Sequence, residues 1–295
     1  MKISVPANVS PRPVGSHRMG LAVALSALIL LCGCSKLRLA YEYADWMLLF
    51  SVNNNFDLDK TQSESLKRDV KEYFSWHRRE MLPRYAHLLL RASNKIKSGG
   101  RPDDYDSIYR EFRVLYRQTM EPVVGKAQTL LLSLSPEQIE AYEKVMKKKN
   151  DKLRKENAKA RSRLMEERYR KTVVEIEDWT GPLSSEQKQQ VHDFSMTVPW
   201  NKDLWLEHRE KSQAKLIGIL RARQPALLEA FLKDYFLDPD RLKSPIYVER
   251  TREYETRLKS LILGVNGMVT PSQKASALVQ AETLAKDFLE MSKKK

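Results

Sequence analysis

Four short strings in this 295-residue chain repeat one pattern: an apolar residue, a capping residue, two intervening positions and a glutamine. They are Leu58-Asp59-Lys60-Thr61-Gln62, Leu134-Ser135-Pro136-Glu137-Gln138, Leu183-Ser184-Ser185-Glu186-Gln187 and Val269-Thr270-Pro271-Ser272-Gln273. In a capping box the Asp, Ser or Thr side chain accepts from the amide three places on, and the residue there reaches back to the N-cap amide. Each string therefore predicts a helix start. Pro136 and Pro271 fall at the first helical position, where proline loses no hydrogen bond.

The stretches between the strings read as helix throughout. Leu66, Val70, Tyr73 and Phe74 follow three- and four-residue steps with charged residues between, and no segment alternates at period two for long enough to predict a strand. Gln62 and Gln138 lie 76 residues apart, Gln187 and Gln273 86. After the first glutamine of each pair comes a tryptophan with a nearby His-Arg, in Trp76-His77-Arg78 and in Trp205-Leu206-Glu207-His208-Arg209. The predicted fold is all-α, a multi-helix bundle from two related helical halves with one long, highly basic helix. Coincidence among helices of similar composition is the alternative to duplication.

The N-terminus sets the expected compartment. Residues 1–20 hold Lys2, Arg12 and Arg18 and no acid, and an apolar run follows from Leu21 to Leu31. That pattern predicts a secretory signal peptide, since a spanning helix needs about 20 apolar residues; a short membrane anchor is the alternative. Leu31-Cys32-Gly33-Cys34-Ser35 has the form of a bacterial lipobox, which predicts removal of residues 1–33 and acylation of Cys34. Acyl chains contribute about 0.8 kcal/mol per buried methylene, so two or three of them would hold the protein on a membrane. Ser35 in place of aspartate favours the periplasmic face of a Gram-negative outer membrane, by resemblance to enterobacterial sorting rules. Both cysteines of the chain lie in this string, which leaves no disulfide framework or zinc–thiolate site. The expected organisation is a signal peptide (1–33), a lipidated aromatic docking segment (34–55), a first half (56–182) and a second half (183–295).

The formal charge of +14 would ordinarily suggest nucleic acid, a partner the expected compartment excludes. Loss of residues 1–33 would leave +11. Of this, +9 falls in residues 144–171, with thirteen Lys or Arg against four Asp or Glu. Residues 137–179 lack glycine and proline, and 135–179 predict one helix about 65 Å long at 1.5 Å per residue. Its middle has only Leu153, Ala158 and Ala160 to bury, so it is expected to project or to line an open face. The candidate binding residues are Lys144, Lys147, Lys148, Lys149, Lys152, Arg154, Lys155, Lys159, Arg161 and Arg163. Their expected partners are anionic lipid, lipopolysaccharide or an acidic client protein, with a solvated charged helix as the alternative.

Catalytic and metal-binding patterns do not stand out. His77, His87, His192 and His208 do not pair at i, i+4, and no Glu-x-x-His or glycine-rich phosphate loop occurs. No cofactor, metal or catalytic residue is expected. Trp46, Trp76, His77, Arg78, Trp205 and His208 are expected to be structural anchors. Tyr41, Tyr43, Trp46 and Phe50 could instead favour a membrane–water interface, although docking on the bundle is the preferred reading.

Gly33-Cys34, Tyr43-Ala44-Asp45-Trp46, Phe56-Asp57-Leu58, Trp76-His77-Arg78-Arg79-Glu80, Pro83-Arg84-Tyr85 and Pro239-Asp240-Arg241-Leu242-Lys243-Ser244-Pro245 together resemble a family of bacterial lipoproteins, domain of unknown function 6279. The resemblance implies a helical envelope lipoprotein and brings no assigned activity. A narrower likeness, to the Spy-like periplasmic chaperones and their Leu-Thr-x-x-Gln motif, implies holding of unfolded clients. None of the four strings keeps that full motif.

Overall fold

The computed structural model describes residues 34–294, and every regular element within them is helical. The elements are α1 Cys34–Glu42, α2 Ala44–Phe56, α3 Lys60–Trp76, a π-turn His77–Met81, α4 Leu82–Lys97, α5 Pro102–Leu132, α6 Pro136–Asn157 and α7 Arg161–Thr180. There follow α8 Ser185–Thr197, α9 Lys202–Arg221, α10 Pro225–Leu237, a 3-10 turn Pro239–Leu242, α11 Pro245–Met268 and α12 Pro271–Ser292. The signal-peptide and lipobox readings fall mainly on residues 1–33, which lie outside the described residues, as does the side chain of Cys34.

All four capping boxes form, at the starts of α3, α6, α8 and α12. They also pair. The Gln62 and Gln138 amides bond reciprocally: Gln62 Nε2 donates to Gln138 Oε1 at 3.1 Å and Gln138 Nε2 to Gln62 Oε1 at 2.7 Å. Gln187 and Gln273 do the same at 2.8 and 3.1 Å. Each glutamine also donates to the carbonyl two residues before its partner's N-cap: Gln62 to Ser133, Gln138 to Asp57, Gln187 to Met268 and Gln273 to Pro182, all at 2.7–2.9 Å. Two helix N-termini are thus locked together with local two-fold symmetry, once in each half. The glutamines that sequence spacing paired are the ones that bond.

The halves nevertheless share their cores. One apolar cluster joins Leu134 and Ile139 of the first half to Leu220, Leu228 and Phe231 of the second. Another packs Met81, Leu82 and Tyr85 against Leu284, Phe288 and Met291 of α12. Each such side chain contributes about 1.5–3 kcal/mol on burial, so neither half holds a complete core. Smaller clusters lie under α2–α3, around Val70 and Phe74, and under α7–α8, around Val173 and Val191.

The expected single helix over 135–179 is two helices. The chain leaves helical geometry at Ala158–Ala160, where Ala160 takes φ −50°, ψ 128°. Alanine has the highest helix propensity, so packing imposes this break. α6 lies along α9, whereas α7 lies on α8 and α12, and one straight rod cannot follow both surfaces. Nor does α6 project. Its apolar-poor middle docks through polar side chains: Asn150 Nδ2 donates to Gln213 at 2.7 Å, Arg209 Nε donates to Asn150 Oδ1 at 2.9 Å, and Arg154 pairs with Glu210 at 2.5 Å.

Candidate functional site

The inner face of α6 carries Ile139, Tyr142, Met146 and Asn150, all buried. That leaves Lys148, Lys152 and Lys155 on one exposed stripe of α6 at steps of four and three, with Lys147 beside it and the exposed Lys159 in the break that follows. Over the seven residues from Lys148 to Lys155 the stripe runs about 10 Å. None of these five lysines, nor the exposed Arg161 beyond the break, forms an ion pair within 4 Å among the described residues. The other candidates are engaged. Lys144 pairs with Glu140 at 2.6 Å, Lys149 Nζ donates to Asn55 at 2.5 Å, Arg154 joins Asp151 and Glu210, and Arg163 pairs with Glu167 at 3.3 Å. The predicted set thus divides into a locally paired group and an unpaired row. Like charges at this spacing cost a few tenths of a kcal/mol per pair. Lys155, in the last turn of α6 with Arg154, gains from the helix dipole.

The cationic surface continues past α6, which the sequence did not reveal. Asn157 Nδ2 donates to the Lys202 carbonyl at 3.3 Å. Beside it the Arg168 guanidinium and the Lys202 ammonium lie 5.5 and 5.1 Å from the Trp200 ring centroid. Partial burial lowers the pKa of each; the positive charge of Arg161 adds to the effect at Arg168, and those of Lys171 and Arg168 at Lys202. The two cations come from two helices, α7 and α9, and the ring between them from the linker before α9.

The Trp-His strings lie at packed positions in both halves. Trp76 packs between two apolar clusters. His77 is 3% exposed, with Nδ1 2.8 Å from the Tyr41 hydroxyl and its ring among those of Tyr41, Tyr73 and Tyr85. Burial, helped by the charge of the half-buried Arg78, pushes the His77 pKa down to about 4. Tyr85 and Tyr73 complete the network through the Thr119 hydroxyl at 2.8 Å and its carbonyl at 3.1 Å. In the second half Trp205 lies 5.8 Å from Arg209, and His208 lies 3.3 Å from the Leu242 carbonyl with its ring 5.5 Å from that of Tyr247. Burial lowers the His208 pKa as well. Each half therefore sets a neutral histidine against a tyrosine.

Trp46 is a correction. It is 60% exposed, stacked on Phe50 at 5.5 Å, and anchors nothing in the core. The segment around it is docked by other residues: Leu48, Leu49 and Val52 pack on α3, and Tyr41 reaches His77.

The π-turn borders an open cleft of about 450 Å³ lined by Trp76, Glu80, Met81, Arg84, Gln118, Glu121 and Pro122. Arg84 donates to Gln118 there at 3.1 Å, and no nucleophile–base pair lines it. Among the described residues no group of three or more His, Cys, Asp or Glu could hold a metal ion, and no helix is long and apolar enough to cross a membrane.

Fold and surface together define an all-α protein whose distinguishing feature is a cationic helical face. The chain belongs to DUF6279, a family of unknown function, whose model matches residues 54–248. That stretch takes in three of the four capping boxes and the whole of the cationic surface. No curated protein and no solved structure matches the chain.

Proposed function

We propose that this protein is an envelope lipoprotein, anchored through acylated Cys34, that holds an anionic partner against the exposed lysine row of α6 without catalysing a reaction. The observation that carries the reading is the row itself: Lys148, Lys152 and Lys155 on one stripe of α6 and Lys159 just past its end, exposed and without ion pairs among the described residues. A self-repelling row gives the fold no stability in return, whereas it offers a line of positive potential to lipid headgroups or lipopolysaccharide. Arg168 and Lys202 around Trp200 lengthen the surface toward α7. The periplasmic face of the outer membrane is the location that the lipobox and Ser35 support.

The test is sedimentation with vesicles of anionic and of neutral phospholipid, as a function of salt. The mature chain carrying Cys34→Ser, free of acyl chains that would insert into any bilayer, is expected to bind anionic vesicles far better than neutral ones, in a salt-sensitive manner. The variant Lys148→Glu/Lys152→Glu/Lys155→Glu/Lys159→Glu of that chain is expected to lose that preference. Undiminished, salt-sensitive binding by the variant refutes the reading. A second reading, holding of unfolded clients, draws support from the exposed Ile246, Tyr254 and Ile262 of α11. It predicts suppression of aggregation at equimolar ratio, and no effect on several clients removes it.

A further inference from the structure

The helix α2 is apolar on both sides, and the bundle covers only one of them. Leu48, Leu49 and Val52 pack on α3. On the opposite side Leu39, Tyr43, Trp46, Met47 and Phe50 are 45–60% exposed. Their steps of four, three, one and three place them on one helical stripe across the α1–α2 junction. The junction keeps helical hydrogen bonding, Tyr43 N to Leu39 O at 3.3 Å and Met47 N to Tyr43 O at 2.9 Å, so the stripe is a continuous surface about 16 Å long. A helix apolar all round implies that both faces are covered in the working state, and a contiguous exposed apolar patch marks a contact surface.

The arm that carries the stripe is fixed. Arg38 reaches Asp287 and Glu290 of α12 at 4.0 and 3.6 Å, Lys294 pairs with Glu42 at 2.5 Å, and Tyr41 bonds to His77. The stripe begins five residues, about 7.5 Å along a helix, from Cys34. An apolar run of residues 21–31 precedes that cysteine in the chain. Tyrosine and tryptophan are the residue types that favour the membrane–water interface.

We propose that the outward face of α1–α2 lies in the interfacial layer of a phospholipid bilayer, so that the bundle sits flush on the membrane in one fixed orientation. This rests on the lipid-anchored reading of Cys34, which makes a bilayer the nearest apolar surface. In that arrangement Trp46 and Phe50 enter among the upper acyl-chain carbons.

The test uses the full chain, processed in cells, purified and reconstituted into phosphatidylcholine vesicles that contain phospholipid brominated high on its acyl chains. Part of the tryptophan fluorescence is expected to be quenched, and the variant Trp46→Phe is expected to lose that quenched component. Two results overturn the proposal: Trp46 unquenched by bromine but open to aqueous acrylamide, or Trp46 shielded from both, as in a dimer through this face. The mass of the peptide containing Cys34 reports acylation separately. An unacylated Cys34 with a quenched Trp46 removes the lipoprotein reading and leaves this one standing.

Discussion

Substitution of Gln62 by alanine gives the sharpest test of how the two halves are built. The change removes the acceptor of the Asp59 amide at 3.0 Å, the donor to the Ser133 carbonyl at 2.8 Å and both contacts with Gln138. Gln62 is only 7% exposed, so water replaces these bonds poorly. At about 1 kcal/mol net per hydrogen bond, four bonds give a loss of roughly 2–4 kcal/mol. The informative quantity is the coupling. Gln138→Ala removes the same two mutual bonds, so the double variant is expected to cost about 1–2 kcal/mol less than the sum of the singles. Urea unfolding followed by circular dichroism reads each value from the shift in midpoint at constant m. A cycle on Gln187 and Gln273 is expected to show coupling of similar size, because its bonds repeat the first set. A mixed cycle on Gln62 and Gln187, which share no partner, is expected to be additive within about 0.5 kcal/mol. Additivity within both reciprocal pairs would refute the twin-lock construction and reduce each box to an ordinary helix cap.

Two further predictions concern buried polar groups. His77 titrates near 4 in the fold and near 6.5 unfolded, so the unfolded chain binds more protons between these values and stability falls as pH drops from about 7 to 4. The loss specific to this group is about 3 kcal/mol at roughly 1.4 kcal/mol per pKa unit; the stability of His77→Gln, measured beside wild type, is expected to lack it, and parallel pH profiles contradict the assignment. At the α6–α9 seam, Arg209→Met leaves the Asn150 acceptor without its donor and is expected to cost about 1–3 kcal/mol. Adding Asn150→Leu removes the stranded amide, so the double variant is expected to be more stable than Arg209→Met alone in the same urea assay.

What the sequence revealed depended on the range of the interaction. Capping boxes span four residues, so the starts of α3, α6, α8 and α12 were legible, and two spacings even paired the correct glutamines. The break at Ala158–Ala160 was not, because alanine carries no stop signal and the cause lies in α9 and α12. The docking of α6 was missed because it runs through Asn150, Arg154 and Arg209, polar residues that an apolar count passes over. Trp46 misled for a related reason: residue type suggests burial, but only the position of α3 decides which side of α2 faces inward. The sharing of cores between halves has no local signal at all. Of the ten cationic candidates, composition found the segment, and only side-chain geometry separated those paired with acids from the exposed row.

The lysine row can be interrogated in intact cells with a photocrosslinking residue in place of Lys152, and a control at the exposed Leu227 on α10. A cationic holding face predicts that position 152 captures an anionic molecule, that position 227 does not, and that Lys148→Glu/Lys155→Glu/Lys159→Glu abolishes the capture. Equal yield at both positions, or capture that persists after the charge reversal, would contradict it.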